Sequence, residues 1–213
     1  MKLTAKVKLL TTPEQADRLL HTLEEANKAC NYISDQAWEN KIFRTFALHR
    51  LVYRDVRNKF KLSAEVVVRC VAKVGDAYKL DRKTKRSFRI HGAIAYDSRI
   101  LSYNPDKSIV SIWTIGGRQK IPFVCGERDR ALLLGQRGES DLCLIDGKWY
   151  LFTACDVETP ETKDVKEFLG IDMGIVNLAA DSDGEIFSGD KVEKNRRKYL
   201  HRRRNLQKKQ TKS

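Results

Sequence analysis

The sequence predicts an α+β fold: a small β-barrel that receives its first strand from the N-terminus, with a helical bundle inserted after that strand. Three observations predict it. The opening stretch KLTAKVKLL alternates as a strand does, and residues 13–80 then carry apolar side chains at spacings of three and four. After residue 90 the pattern turns to short alternating runs separated by glycine turns. The last segment adds two more strands and one strongly basic helix.

In chain order, residues 2–10 read as the first strand. Thr12, Pro13 and Gln15 then give a helix start, with Thr12 as N-cap, Pro13 at the first helical position and Gln15 where a capping box needs it. Leu19, Leu20, Leu23, Ala26, Cys30, Ile33 and Ala37 form its apolar stripe. A second helix is expected near 45–58 with Phe46, Leu51, Val52 and Val56 inward, and a third after Ser63 with Val67, Cys70, Val71, Val74 and Tyr78 on one face. The valines of the third would suit a strand, but their spacing favours a helix.

Among the later strands, SIVSIWTI puts Ile109, Ser111, Trp113 and Ile115 on one face, Gly116-Gly117 turns, and QKIPFV returns. DLCLIDGKWYLFTACDV reads as a hairpin with Asp146-Gly147 at its tip. Thr159-Pro160-Glu161-Thr162 reads as a linker. Trp38, Trp113 and Trp149 are expected in the core.

The net charge of +13 is unevenly placed. Of 41 basic and 28 acidic residues, 11 basic residues and a single acid, Glu193, fall in 191–213, leaving a body of 30 and 27 that is nearly neutral. So dense a basic segment seeks phosphate. Arg196, Arg197, Lys198, Arg202, Arg203 and Arg204 are its candidate contacts, although on a helix they cannot all face one way. Val192, Tyr199 and Leu206 recur every seven residues as an apolar seam between them. Lys79, Arg82, Lys83, Lys85 and Arg86 form a second, weaker basic cluster after the third helix.

No run of about 18 apolar residues is present to span a membrane, and the N-terminus lacks a signal-peptide core. Five scattered cysteines without a C-x-x-C pair suit buried, reduced thiols in a cytoplasmic protein. The four histidines are isolated from one another and make no HExxH or triad-like cluster.

One carboxylate stands out. In LGIDMGIVNLAADSDGE, Asp172 sits between apolar residues in a short strand, where burial would need a cation to offset it. A divalent metal is the usual reason, and Gly174 allows a phosphate or backbone to approach. An Asp exposed at a sheet edge is the plain alternative. Two fold families open this way, the RNase H-like nucleases and the actin-like ATPases; only 41 residues follow Asp172, which is short for an ATP-binding lobe. Asp181, Asp183 and Glu185 hint at a calcium loop but lack its closing Glu, and a hairpin turn at Asp183-Gly184 fits better.

GIDMGIVNLAADSDGE followed by a basic helix resembles the start of the RuvC-like, RNase H-like domain of the TnpB (OrfB) family, the transposon-associated relatives of type V CRISPR effectors. AYDSRILSY (95–103), GGRQKIPF (116–123) and DLCLIDGKWYLFTACDVE (141–158) resemble the family's wedge-like barrel, and CNYISDQAW (30–38) and LSAEVVVRCVAKVGDAYK (62–79) its helical recognition lobe. The resemblance implies a first barrel strand at 1–10, a recognition lobe at 11–90, a barrel at 91–160 and the start of a RuvC-like domain at 161–213. It implies an RNA-guided DNA endonuclease with guide RNA and target DNA as partners and Mg²⁺ at the cutting site. Only Asp172 matches a catalytic, metal-holding position. The family's further carboxylates and zinc ribbon would lie past Ser213, which makes the expected RuvC-like domain incomplete and this chain an N-terminal part that does not cleave DNA alone. A nuclease-dead nucleic-acid-binding regulator and an actin-like ATPase fragment are the competing readings.

Overall fold

The alternation at the N-terminus folds as strand β1 (Lys2–Leu9), with Ala5, Val7 and Leu9 in the core. The computed structural model describes residues 1–159 and 166–208, which divide into two compact units, Met1–Thr159 and Pro160–Ser213. The linker expected at 159–162 lies, beyond Thr159, outside the described residues.

In the first unit, helix α1 (Pro13–Asn40) starts at the expected capping box: Thr12 Oγ1 accepts from the Gln15 amide at 3.2 Å, and Gln15 Oε1 accepts from the Thr12 amide at 3.1 Å. Leu19, Leu23, Ala26, Cys30, Ile33 and Ala37 are buried as the spacing predicts. Helix α3 (Ala64–Leu80) buries Val67, Cys70, Val71, Val74 and Tyr78, and Ser63 Oγ accepts from the Val66 amide at 3.3 Å. Between them lies α2 (Thr45–Lys59), where the expected inward face needs correction. Leu48, Val52 and Val56 point into the core, Leu51 is half-buried, and Phe46 is 71% exposed. Phe46 precedes Leu48 by two residues, which is about 200° around the helix, so the two cannot share a face. Gly75 lets α2 and α3 close up: a Cβ there would come within 2.3 Å of Thr45 Oγ1.

The remaining strands of this unit are β2 (Ile94–Tyr96), β3 (Leu101–Asn104), β4 (Ile109–Thr114), β5 (Gly117–Val124), β6 (Gln136–Ile145) and β7 (Lys148–Asp156), with a short helix α4 (Glu127–Leu133) between β5 and β6. With β1 they make a seven-stranded antiparallel sheet in the order β2-β6-β7-β1-β5-β4-β3. β1 runs between β7 (Ala5 opposite Thr153) and β5 (Leu9 opposite Phe123), so the helices are an insertion after its first strand. The sheet curls until its edges nearly meet: the Tyr96 hydroxyl donates to the Trp113 carbonyl at 3.1 Å, and Tyr103 reaches Thr153 Oγ1 at 2.6 Å. Val110, Ile112, Ile121, Phe123, Leu142 and Leu151 fill the interior. Ile109, Ser111 and Trp113 do share one face of β4, the half-buried one. Trp149 is a core residue, whereas Trp38 and Trp113 are half-buried and pack against the core.

The hairpin at Asp146-Gly147 forms as predicted, with φ values of 48° and 70°. Two consecutive left-handed residues match the twist of the flanking strands. Helix and barrel are tied by polar contacts: Thr22 Oγ1 accepts from the Ile115 amide at 2.9 Å, and Arg18 donates to the Gly116 carbonyl at 3.1 Å. All five cysteines are free thiols, three of them buried. No helix among the described residues is long and apolar enough to cross a membrane.

The second unit holds β8 (Ile171–Asp172), β9 (Asn177–Asp181) and β10 (Ile186–Ser188) in an antiparallel sheet of order β10-β9-β8, then the long helix α5 (Asp190–Lys208). The turn at Asp183-Gly184 forms, with Gly184 at φ 90° and Asp181 Oδ1 accepting from the Asp183 and Glu185 amides at 3.1 and 2.8 Å. This is hairpin geometry.

Candidate nucleic-acid interface

Asp172 ends β8 opposite Ala180 of β9, and Ile171 stands opposite Asp181. The backbone then turns through Met173–Val176. Gly174 belongs there, because a Cβ would lie 3.0 Å from the Asn177 carbonyl. The Gly189 amide donates to the Val176 carbonyl at 3.0 Å, which fixes the start of α5 to this turn. Asp172, Gly174, Ile175, Val176, Asn177 and Ala180 line a shallow open hollow.

The expectation of a buried Asp172 is corrected here. The residue is exposed, and so are its apolar neighbours: Ile171 is 62%, Met173 81% and Ile175 97% exposed. Burial therefore does not demand a cation beside it, and the argument from desolvation lapses. Asp172 is the one carboxylate lining the hollow, and among the described residues no three His, Cys, Asp or Glu side chains gather to hold a metal ion. A divalent ion such as Mg²⁺ takes several oxygen ligands. The donors present do not fit one.

The basic helix gives a different picture. α5 buries nothing among its described residues, and Val192, Tyr199 and Leu206 are 55%, 63% and 66% exposed. At about 100° per residue the apolar seam covers an arc of only about 40°, and nine lysines and arginines are spread around the helix. Arg196 donates to Glu193 through Nε at 2.6 Å and Nη2 at 2.8 Å, and Arg197 Nε donates to Glu193 at 2.8 Å. These two guanidiniums, Arg196 first, hold the Glu193 carboxyl down at about 2. Arg202 stands 5.8 Å from the Tyr199 ring centre. Lys198, Arg203 and Arg204 make no ion pair with a carboxylate among the described residues, which leaves them open to an outside anion.

The second predicted cluster is mostly occupied. Lys85 pairs with Asp35 at 2.9 Å, and that hydrogen bond raises its pKa. Arg86 pairs with Asp81 at 2.8 Å and donates twice to the Asp81 carbonyl. Lys83 is exposed, and its backbone amide, with the Thr84 hydroxyl, holds the Asp81 carboxyl below its usual range. The structure also shows a basic surface not singled out from the sequence, on α2. The four-residue spacing of Arg50 and Arg54 was the signal that marked it.

The second unit thus joins an open basic helix, through a tight turn, to a strand that ends in Asp172. Residues 152–213 match the OrfB_IS605 family, described as "Probable transposase". This match over the C-terminal part of the chain supports the resemblance to the TnpB/OrfB family that the motifs predicted. No curated protein matches it. Among solved structures it is similar to "Cryo-EM structure of CRISPR-Cas12f Ternary Complex", with 14% identity and a TM-score of 0.48 over 91% of this chain. The chain spans about half the length of that one, covering 53% of it.

Proposed function

We propose that the chain is a nucleic-acid-binding OrfB protein that engages a guide RNA and the DNA paired to it, and that it does not cut DNA by itself. The observation that carries this is the composition and openness of α5, where nine lysines and arginines stand on an exposed helix against two acids, Asp190 and Glu193, both in its first turn. Such a surface gains affinity by releasing counterions from phosphates, whatever the base sequence. Lys198, Arg203 and Arg204 are its principal contacts. Arg196 and Arg197 contribute when phosphate competes with Glu193 for them. Arg202 is steadied by Tyr199.

Asp172 is read as the family's first RuvC-like carboxylate, a reading supported by its position at the end of a strand beside an open hollow. With no second carboxylate among the residues described at that hollow, no cleavage step is assigned to it.

The test is purification of the chain from cells that also express the locus RNA. Co-purifying RNA that leaves in high salt, with no nicking of supercoiled plasmid in Mg²⁺, is the expected result. Nicking that disappears in Asp172→Ala would overturn the second half of the proposal. Absence of bound RNA, together with absence of binding to added DNA, would overturn the first.

A further inference from the structure

Of the five free cysteines, two lie side by side. Cys30 on α1 and Cys70 on α3 are 0% and 3% exposed, at the contact between the two helices. The Cys30 thiol donates to the Cys70 carbonyl at 3.9 Å. The Cys70 thiol donates at 3.5 Å to the carbonyl of Ala26, one turn before Cys30. A thiol that touches the other cysteine's own carbonyl is within reach of a disulfide, whose α-carbons sit about 4.4–6.8 Å apart. Cys143 and Cys155 behave differently, donating to the Asp141 and Thr153 carbonyls two residues back in their own strands.

Both thiols line a small cavity together with Arg69, Lys73, Ile94 and Ala95. It has room for about one water-sized molecule. Arg69 and Lys73 are half-buried, so the cavity borders solvent. Lys73 Nζ is fixed by Asn27 Oδ1 at 2.9 Å and by the Ala93 carbonyl at 2.8 Å. Arg69 pairs with Glu139 through Nη1, but its Nε is buried, 3.5 Å from Glu65, and makes no hydrogen bond among the described residues. A buried donor left unmade is costly, and a small polar guest would satisfy it. The Cys70 thiol hydrogen-bonds to ionised Cys30 and holds its pKa down against burial, with help from the Lys73 charge; the same bond, with burial, pushes Cys70 up. A lowered thiol beside cations is the setting in which a cysteine reacts as thiolate.

We propose that hydrogen peroxide enters this cavity and oxidises Cys30 and Cys70 to a disulfide that links α1 to α3. The Cys30 thiolate attacks one peroxide oxygen. An S–O bond forms, the O–O bond breaks, and the departing hydroxide, stabilised by Arg69, takes up the proton that Cys30 released. The Cys70 sulfur then attacks the sulfur of the Cys30 sulfenic acid. The S–S bond forms, the S–O bond breaks, and the leaving hydroxide takes the Cys70 proton. Two thiols are oxidised, one peroxide is reduced, and two waters leave. So small a cavity shuts out bulkier oxidants such as glutathione disulfide, because exchange depends on access to the attacking sulfur. The bridge spans 40 positions of sequence and encloses all of α2, so it restrains the whole helical insertion.

This site is independent of the nucleic-acid reading, so neither fails with the other. The experiment treats the folded full chain with hydrogen peroxide, blocks the remaining thiols with N-ethylmaleimide after denaturation, and maps the peptides by mass. The expected result is a Cys30–Cys70 disulfide, lighter by two hydrogen atoms and reversed by dithiothreitol. Glutathione disulfide at the same concentration is expected to act at least about tenfold more slowly. Cys70→Ser is expected to hold Cys30 as a sulfenic acid that dimedone captures, and Arg69→Gln to slow the peroxide reaction by about tenfold or more. Each variant is first shown to keep the parent's circular dichroism, and the parent's peptide map needs no variant to fold. Cys30 and Cys70 both alkylated while Cys125 and Cys143 are oxidised would overturn the inference, as would a bridge that appears only in urea. Equal rates with peroxide and glutathione disulfide, or a parental rate in Arg69→Gln, would overturn the assignment of this cavity to peroxide.

Discussion

The side-chain amide of Asn27 donates to the Gly92 carbonyl across 2.7 Å, pinning the middle of α1 to the segment that enters β2. The same nitrogen donates to Leu23 and Ile90 carbonyls at 3.0 and 3.1 Å, and Oδ1 accepts from Lys73 at 2.9 Å. Asn27 is fully buried, so this is a satisfied polar centre joining the helical insertion to the barrel. Asn27→Ala is expected to cost about 1–3 kcal/mol, because it strands buried partners as well as removing the bonds. Urea denaturation measures it, and a variant as stable as the parent would show that the link is not needed.

The facing of α2 gives a contrast within one helix. Leu48→Ala is expected to cost about 2–5 kcal/mol as a buried leucine truncated in a packed core. Phe46→Ala, two residues away and exposed, is expected to stay within about 0.5 kcal/mol. The same denaturation experiment reads both, and reversed magnitudes would mean that the helix is turned the other way.

Glu193 titrates far below an ordinary glutamate because Arg196 and Arg197 hydrogen-bond to its ionised form. A depressed carboxylate contributes its stabilisation above its unfolded pKa of about 4.3 and loses it as the pH falls through the folded value. The contribution to α5 is therefore complete at neutral pH and fades between about 4.3 and about 2. Side-chain carbon chemical shifts followed with pH should give a midpoint near 2; a midpoint in the ordinary range would dissolve the fork. Glu193→Gln is also expected to tighten nucleic-acid binding, since it frees two arginines.

Lys85 and Arg86 are expected to behave differently from the tail. Their partners are Asp35 and Asp81, so Arg86→Gln should lower the melting temperature and leave nucleic-acid affinity nearly unchanged. Lys198→Gln/Arg203→Gln/Arg204→Gln should do the reverse. A melting curve and a binding isotherm for each variant decide between them.

What the sequence showed and what it concealed follow from the length of each signal. α1 and α3 were legible because long stripes and their caps agree, and the β6–β7 hairpin because Asp146-Gly147 has a specific turn chemistry. β2 spans three residues and α4 seven, too few for a period to register. The phase of α2 was misread at Phe46 because an exposed aromatic looks apolar in sequence. Asp172 was located correctly in its strand but credited with burial, since apolar flanks read as interior while here they face solvent. The dense charge of α5 was plain from composition, whereas ion pairs such as Lys85–Asp35, fifty residues apart, depend on the tertiary fold.

The central claim is that this chain recognises nucleic acid through exposed, unpaired cations, and the salt dependence of its binding tests that most directly. Affinity for RNA measured between low and moderate salt should fall linearly on a log–log plot, with a slope of about −3 or steeper that flattens when Lys198, Arg203 and Arg204 are neutralised. A slope near zero, or one unchanged by those substitutions, would contradict the account.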